Sequence, residues 1–476
     1  MKKVKKAAAS LLAVILLCVY GADSVSASSV NSSPEQPEKE SIGLSAFCDS
    51  YPGKRLKIVT DDDISTFFTA GELGAQIRFV ADHPVKQLYF IFEKPCQWTI
   101  ILPDNSVRHG GKQGYIHELL QLDQEISRFQ MEIPAGSKLT DVYAFSGGEL
   151  PDWVQKWEPP CQSADLMVMP THADDEHLWF GGVLPYYAGE LGYNVQVVYM
   201  TNHYKDPPRS HELLDGLWKV GVTHYPIIPD QFADHVDTRK SLNAAKEYFG
   251  YDRIMEYQVE LLRRFSPKVI VAHDIHGEYG HGAHKLNAAS LLEALKIYED
   301  PTVYPESAEK YGIHTVQKCY LHLWKKNQIL VQWSDLKLER FGGKSAFRMA
   351  VEGFACHKSQ QKLYKVEEDG WNDCRKFGLA YTTVGLDTPG LNDMFEHVNM
   401  SAHDQNIEGE QTGSDDTAQQ AVSETDKEPV ASPSDKENRS FVWDGNPAII
   451  DVVFIGGVAV ALLVAMAILI CLKRRE

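Results

Sequence analysis

Two loops rich in histidine and aspartate constrain the fold of this chain most strongly. Each loop follows a short apolar run typical of a buried strand, over residues 164–169 and 269–272, and each precedes a helix-like segment, over residues 176–192 and 285–298. In α/β folds, the loops at the carboxyl ends of strands carry the chemistry. The pattern therefore predicts that both loops lie at the same edge of one sheet.

The side chains of these loops are of the types that hold a metal ion. The first loop contains His172, Asp174 and Asp175, and the second contains His281 and His284. Zinc binds imidazole nitrogen and carboxylate oxygen, and a catalytic zinc site keeps one position open for water. For the first loop taken alone, helix capping by acidic residues is an alternative. The presence of the second cluster favours a shared metal site.

The two loops together resemble the motifs of the PIG-L/LmbE-like zinc de-N-acetylases. The resemblance rests on residues 172–176 and 280–284. One small departure is Ala173, which stands where the family usually has proline.

A second departure from the family pattern is Ala283, which stands where an aspartate is common. That aspartate helps to tune the first histidine of the motif, which is His281 in this chain. The family pattern therefore does not fix the pKa and orientation of His281 here. His273 or Asp274 would be the substitute that orients it.

The resemblance implies hydrolysis of an N-acetyl amide with one zinc ion (Zn2+) per site. It assigns the metal ligands to His172, Asp175 and His284. It assigns the general base to Asp174, which lies close to the attacking water without binding the metal. His281 and the metal would stabilise the oxyanion of the tetrahedral intermediate. Asp174 or His281 would protonate the leaving amine.

Other polar residues have implied roles near this site. Arg209 resembles the arginine with which the family contacts its substrate, while a surface ion pair with Glu212 is the alternative for this side chain. Glu176 is expected to cap the following helix or to orient His172 from outside the ligand set. The segment around His357 resembles a late family segment and is interpreted as structural.

Alternating strand and helix patterns predict an α/β domain over residues 161–398, with a Rossmann-like parallel sheet and helices on both faces. No GxGxxG pattern follows its first strand, so a nucleotide site is not indicated. Ahead of it, residues 44–150 contain short strand-like runs at a spacing typical of a β-sandwich. This region loosely resembles galactose-binding-like jelly rolls, which often bind sugar or calcium. Residues 151–160 are predicted to be a hinge.

Within the predicted β-sandwich, residues 61–63 are three consecutive aspartates. They would either bind calcium or build a turn, and the turn is favoured. Trp98, Tyr115 and His117 are candidates for stacking on sugar, although core packing explains such residues equally well.

Both ends of the chain have the character of targeting or tethering segments. Residues 1–27 resemble a signal peptide, and residues 28–43 a flexible leader. Residues 399–443 are acidic and poor in aromatics, which predicts a disordered spacer. Residues 452–472 are apolar and long enough to cross a bilayer. The basic tail that follows, residues 473–476, is predicted to be cytoplasmic, which places the remainder outside the cell membrane.

Charge and cysteine content fit an extracytoplasmic protein. The formal charge is −18, which argues against a nucleic-acid partner because phosphates require a basic surface. Six cysteines lie outside the signal and membrane segments, and they permit fifteen disulfide pairings. These are Cys48, Cys96, Cys161, Cys319, Cys356 and Cys374.

The sequence therefore predicts a membrane-anchored zinc deacetylase, on a bacterial surface, that acts on a glycan or glycoconjugate containing N-acetylhexosamine. Hydrolysis of the amide of another conjugate is a related alternative. From a different class, the chain would be a non-catalytic surface protein that binds glycans through its β-domain. The complete set of predicted catalytic residues favours the enzyme.

Overall fold

The computed structural model describes residues 41–48, 55–362 and 364–401, together with the backbone of Ser440–Phe441. The predicted signal peptide, transmembrane helix and cytoplasmic tail lie outside the described residues, as do most of the leader and nearly all of the acidic spacer. Within the described ranges, no helix has both the length and the apolar character needed to span a membrane.

The N-terminal part of the described chain is an antiparallel sheet of seven strands. Their bounds are β1 Leu44–Cys48, β2 Phe68–Thr69, β3 Ala75–Phe92, β4 Trp98–Ile101, β5 Val107–Gly110, β6 His117–Ile133 and β7 Lys138–Phe145. The strand order is β2-β7-β3-β6-β4-β5, and β1 pairs with β3. Residues 76–80 and 87–92 each have the sequence pattern of a separate strand. In the structure both are parts of the single long strand β3, whose pairing is interrupted by register shifts.

This sheet folds over its own core. Phe79 faces Phe129 across β3 and β6, whereas Phe90 faces Glu118, eleven residues away along β6. A flat strand would separate positions 118 and 129 by about 36 Å. The rings of Phe90 and Phe129 are nevertheless only 6.5 Å apart. The two halves of the long strands therefore enclose one core, in which Phe79 also stacks on Phe129.

A second sheet carries the predicted catalytic loops. Its strands are β8 Leu166–Met169, β9 Val195–Val197, β10 Val269–Ala272, β11 Lys318–His322, β12 Gln328–Leu330 and β15 Lys376–Thr382, with β16 Ser440–Phe441 paired to β15. A separate hairpin pairs β13 Lys337–Leu338 with β14 Lys344–Ser345. The main order is β12-β15-β11-β10-β8-β9.

The prediction of an entirely parallel sheet is wrong at one edge. β9, β8, β10 and β11 are parallel, but β15 is antiparallel to both β11 and β12. Apolar periodicity shows that a strand is buried without showing its direction, because buried parallel and antiparallel strands have the same composition. The chain therefore has a mixed α/β fold.

Helices cover both faces of this sheet. Their bounds are α1 Asp175–Leu178, α2 Pro207–Lys219, α3 Leu242–Phe249, α4 Tyr251–Phe265, α5 Gly282–Ile297, α6 Pro305–Tyr311 and α7 Ala346–Ala355. Along β8, Leu166 and Val168 pack with residues of α2 and α7, while Met167 and Met169 pack with residues of α4 and α5. This alternation is the normal consequence of the strand period of two.

Two predicted helices differ from the structure. The segment 176–192 divides into α1 and a π-helix, Pro185–Glu190. The sequence pattern over residues 353–363 also predicts a helix, but the structure has the end of α7 followed by a 3-10 turn, Lys358–Gln360. His357 lies at the break between them.

The segment predicted as a hinge, residues 151–160, is packed on both sides. The ring of Trp153 contacts Tyr143 in the first sheet at 4.9 Å between ring centroids. The ring of Trp157 contacts Trp218 and Tyr225 in the second domain, at 5.5 Å in each case. Of the cysteines that permitted disulfides, five are free thiols: Cys96, Cys161, Cys319, Cys356 and Cys374.

Candidate active site

The two predicted loops meet at one edge of the second sheet. β8 and β10 are parallel neighbours, and Met169 is in register with Ala272. The loops that leave both strands therefore emerge side by side. The backbone N–H of Thr171 donates to Nε2 of His273 at 2.9 Å, which ties the start of the first loop to the start of the second.

His172, Asp175 and His284 form a compact group that we call the ligand triangle. Nδ1 of His172 lies 3.2 Å from Oδ2 of Asp175 and 3.1 Å from Nε2 of His284. Nε2 of His284 lies 3.3 Å from Oδ2 of Asp175. Tetrahedral zinc with bonds of about 2.0–2.1 Å separates its ligand atoms by about 3.3–3.4 Å. The triangle therefore has the donor set and spacing of three zinc ligands.

Glu278 fixes the orientation of the histidines around the ligand triangle. Its carboxylate accepts hydrogen bonds from Nδ1 of His273, His284 and His322, at 2.8 Å each. With its proton on Nδ1, His284 presents a free Nε2 lone pair to the ion, as in other carboxylate–histidine–metal arrangements. Burial alone would raise the pKa of Glu278, but these histidines hold it well below its usual value.

The other two members of the triangle also have outer partners. Nε2 of His172 lies 3.4 Å from Asp234, and Oδ1 of Asp175 accepts a hydrogen bond from the indole of Trp179 at 2.6 Å. Burial opposes the charged form of His172, but Asp234 and Asp175 raise its pKa to about 9. The carboxylates of Asp234 and Asp175 therefore supply negative charge that would offset the positive charge of a bound cation.

Asp174 lies beside the triangle in a strained backbone conformation. Its φ is 122°, where a residue other than glycine costs about 1–3 kcal/mol. Its Oδ1 is 3.4 Å from Nη2 of Arg209, and burial raises its pKa to about 7, against the opposing effect of Arg209. A carboxylate with a pKa near neutrality that is not part of the ligand triangle suits a general base.

His281 is oriented by backbone rather than by an aspartate. The N–H of Ala283 donates to Nδ1 of His281 at 3.2 Å, so in the neutral ring the proton is on Nε2. Burial lowers the pKa of His281, and the nearby His172 and His284 lower it further. The expectation that His273 or Asp274 orients His281 is wrong, because Nδ1 of His273 donates to Glu278 and the carboxylate of Asp274 accepts the backbone N–H of His276.

Part of the chain is similar in sequence to a known deacetylase. No family model matches the chain. The chain is 29% identical over 173 residues to 1D-myo-inositol 2-acetamido-2-deoxy-alpha-D-glucopyranoside deacetylase 2 from Saccharopolyspora erythraea. The match covers 32% of this chain and 63% of that relative, which is less than two thirds of the relative's length.

The chain is PIG-L/LmbE-like.

Solved structures show lower similarity. N,N'-diacetylchitobiose deacetylase from Pyrococcus horikoshii has 16% identity and a TM-score of 0.33, over 42% of this chain and 72% of that one. A pectin-binding carbohydrate-binding module has 13% identity and a TM-score of 0.19, over 24% of this chain and 96% of that one.

In this PIG-L/LmbE-like chain, Arg209 points into the site rather than out to solvent. Its guanidinium donates to the carbonyl of Ala173 at 2.5 Å. Glu212, its proposed surface partner, instead accepts hydrogen bonds from the backbone and hydroxyl of Ser359 at 2.8 and 2.6 Å. Among the described residues, Nε of Arg209 is buried and has no hydrogen-bond partner, while the Arg209 side chain lines the cavity.

Glu176, His177 and His357 form a second buried group, which we call the rear cluster. Oε2 of Glu176 accepts the backbone N–H of Asp174 at 2.9 Å, and Oε1 lies 2.9 Å from Nε2 of His357. The expectation that Glu176 orients His172 is therefore wrong, since it supports Asp174. The late segment around His357, interpreted from sequence as structural, contributes directly to this support.

The site opens into a small cavity of about 40 Å³. Its lining residues are His172, Asp174, Asp175, Leu178, Trp179, Arg209, Arg239, Tyr279, His281, Gln360 and Tyr364. The cavity is bordered by the exposed side chains of Arg239 and Tyr279.

Sequence reasoning missed several residues of this site. Glu278 was within the second loop but had no assigned role, and Asp234 belonged to no motif. Gln360 follows His357 closely, so its place in the cavity was signalled by the late family segment. Trp179 had a usable signal, because it is one helical turn after Asp175.

The β-domain residues considered for sugar or calcium binding have other partners. Trp98, Tyr115 and His117 are buried. Asp61 accepts hydrogen bonds from the backbone of Asp63 and the hydroxyl of Thr66, as expected for a turn.

Proposed function

We propose that this chain is an extracytoplasmic, membrane-anchored, zinc-dependent hydrolase. Its substrate is a glycan or glycoconjugate containing N-acetylhexosamine, from which it removes the N-acetyl group. The observation that carries the proposal is the ligand triangle with Asp174 beside it but outside it. The Saccharopolyspora relative is named as a deacetylase of an acetamido-sugar conjugate, which supports the same reaction class.

The ligand triangle would hold the zinc ion through Nδ1 of His172, Oδ2 of Asp175 and Nε2 of His284. Bound zinc lowers the pKa of water towards about 7 and polarises an amide carbonyl. Asp174 would accept the proton of the attacking water. Its raised pKa of about 7 matches that task at neutral pH.

His281 would donate from Nε2 to the oxyanion that develops on the acetyl carbonyl. Because its low pKa keeps the ring neutral, it acts as a hydrogen-bond donor without bringing a positive charge next to the metal. Asp174, after taking a proton, can give it to the leaving amine. Arg209 would bind the sugar through its guanidinium, whose Nε has no hydrogen-bond partner in the part of the chain that the structure describes.

The location outside the membrane is proposed from the sequence of the chain ends. The signal-like residues 1–27 and the apolar residues 452–472 with a basic tail support it. A protease-protection experiment on intact bacteria that express the full chain tests this point. Digestion of the catalytic domain by external protease is expected, and full protection would contradict the proposal.

The reaction is tested on the purified chain with detergent present. Metal content is measured by inductively coupled plasma mass spectrometry, and acetate release is measured on N-acetylglucosamine and N,N'-diacetylchitobiose. Asp174→Asn should retain the metal and lower kcat by about 10²–10⁴-fold, the usual contribution of a general base. Asp123→Asn, an exposed carboxylate of the β-domain, is the matched control.

Metal-loaded wild-type protein that releases no acetate from a panel of N-acetylhexosamine oligosaccharides would contradict the deacetylase assignment. If that protein still bound the oligosaccharides, the non-catalytic glycan-binding alternative would replace it.

A further inference from the structure

The β-domain is connected to the active-site helix by a buried chain of hydrogen bonds. In the β-domain, the hydroxyl of Tyr89 lies 2.9 Å from Nδ1 of His117. Nε2 of His117 lies 2.8 Å from Nδ1 of His211, which is on α2. Nε2 of His211 then lies 3.3 Å from Oε1 of Glu93, back in the β-domain. All four side chains are buried.

With both histidines neutral and Glu93 ionised, a single arrangement of protons satisfies these hydrogen bonds. The carboxylate of Glu93 accepts from Nε2–H of His211, which leaves Nδ1 of His211 as an acceptor. His117 therefore donates from Nε2 and accepts from Tyr89 at Nδ1. Burial raises the pKa of Tyr89, and Asp215 raises it further, so Tyr89 keeps the proton that it donates. Each link has one donor and one acceptor, which makes the connection specific in geometry.

The hydrogen bonds reach α2 at His211, two residues after Arg209. Over residues 209–212, three side chains contact three different parts of the protein. Arg209 contacts the first catalytic loop, His211 contacts the β-domain, and Glu212 contacts Ser359. A further contact lies just ahead of α2, where the ammonium of Lys94 is 5.5 Å from the ring of Tyr204.

We propose that His117 and His211 are positioning residues that set the placement of Arg209 from the β-domain. The β-domain is then a fixed part of the active-site architecture rather than a module that docks independently. This inference rests on the proposed function, because Arg209 is assigned there to the substrate. The helix transmits the constraint because adjacent residues of one helical turn cannot shift independently.

The test uses the full chain with His117→Leu and His117→Gln. Leucine removes both hydrogen bonds, whereas the amide of glutamine can still donate to His211. His117→Leu should raise KM for N,N'-diacetylchitobiose about tenfold, with unchanged metal content, because a small misplacement of a binding group is costly. His117→Gln should restore most of the loss.

Tyr225→Phe provides the matched control. The hydroxyl of Tyr225 accepts the backbone N–H of Ile116 at 3.1 Å, which is another hydrogen bond between the domains, but Tyr225 is not on α2. This variant should lower Tm slightly and leave KM unchanged at temperatures well below Tm. An equal rise of KM in Tyr225→Phe and His117→Leu would overturn the proposal, since any loosening of the domains would then suffice.

Hydrogen exchange gives a second measurement that does not depend on activity. Amides of residues 209–213 should exchange faster in His117→Leu and not in Tyr225→Phe. Unchanged exchange in His117→Leu overturns the positioning role. If the wild type releases no acetate, the proposed function fails, and the exchange measurement still decides whether the β-domain holds this helix. Faster exchange with unchanged KM in an active enzyme would also overturn the proposal.

Discussion

The ligand triangle and the rear cluster both contain buried ligand-type side chains that are close enough to meet at one ion. Donor atoms in the triangle are evenly spaced at 3.1–3.3 Å. In the rear cluster, Oε1 of Glu176 is 2.9 Å from one histidine and 3.7 Å from the other. His172 and Asp175 of the triangle line a cavity, whereas no member of the rear cluster lines it and all three are fully buried.

This comparison shows that proximity of ligand-type residues does not by itself make a metal site. Around the triangle, Glu278 and Asp234 engage the second nitrogens of its histidines and leave the facing atoms for an ion. In the rear cluster, Glu176 lies in ion-pair contact with His357, while both ring nitrogens of His177 have no hydrogen-bond partner among the described residues. Burial would raise the pKa of Glu176, but His357 lowers it, as expected for an ion pair.

The packing around the rear cluster also indicates that it is closed to ligands. Gly216 and Gly353 lie directly against the rear cluster, and a Cβ at either position would come within 2.7 Å of a nitrogen of His177. The helices α2 and α7 thus seal these rings in place. The rear cluster is built to support the backbone of Asp174, and the triangle is built to exchange a ligand with the cavity.

The largest expected effect comes from removing one ligand of the triangle. His284→Ala leaves too few donors, so the metal content should fall below about a tenth of an ion per chain and acetate release by about a thousandfold or more. Both quantities are measured on one preparation. His276→Ala, in the same loop but outside the triangle, is the control. Full metal occupancy in His284→Ala would mean that the triangle is not the site.

Next in size is a loss of stability from breaking the ion pair of the rear cluster. His357→Leu leaves the buried Glu176 without its charged partner, which should cost about 3–5 kcal/mol in the free energy of unfolding, with metal retained. Urea unfolding of the metal-loaded protein measures it, with the exposed His83→Leu as control. The opposite result, unchanged stability with loss of one metal ion, would turn the rear cluster into a second metal site.

A smaller effect is expected at the carboxylate behind the triangle. Glu278→Gln replaces one acceptor oxygen by an N–H₂ group that faces a histidine donor, so metal affinity should fall about 10–100-fold. Competition with a chromophoric chelator measures the dissociation constant. Glu293→Gln, an exposed position on α5, should leave affinity unchanged. Equal affinities in both variants would show that Glu278 does not orient the ligands.

The smallest predicted effect concerns the indole of Trp179. Trp179→Phe keeps most of the packing but removes the hydrogen bond to Asp175, which should weaken metal binding by about 1 kcal/mol, or roughly fivefold. The same chelator competition resolves a change of this size. Trp371→Phe, at a side chain that is 94% exposed, is the control. Tighter binding in Trp179→Phe would contradict the assigned role of the indole.

The amino-acid sequence was sufficient to predict the α/β class of the second domain and the five loop residues that the structure brings together. Buried strands have a recognisable apolar pattern, and loops after parallel neighbours must emerge at one edge. His172 and His284 come after β8 and β10, which are parallel neighbours, so their placement at one edge of the sheet could be predicted from the sequence.

The outer partners of the site residues and the strand direction at the sheet edge could be seen only in the folded structure. Asp234, Glu278 and His357 come from separate segments, and nothing in their residue types or spacing identifies the histidine or carboxylate that each one faces. The antiparallel direction of β15 was likewise invisible, because burial and strand direction leave the same pattern in the sequence. Strand patterns are set by local periodicity, but pairing between distant polar groups is set by distances that exist only after the chain has folded.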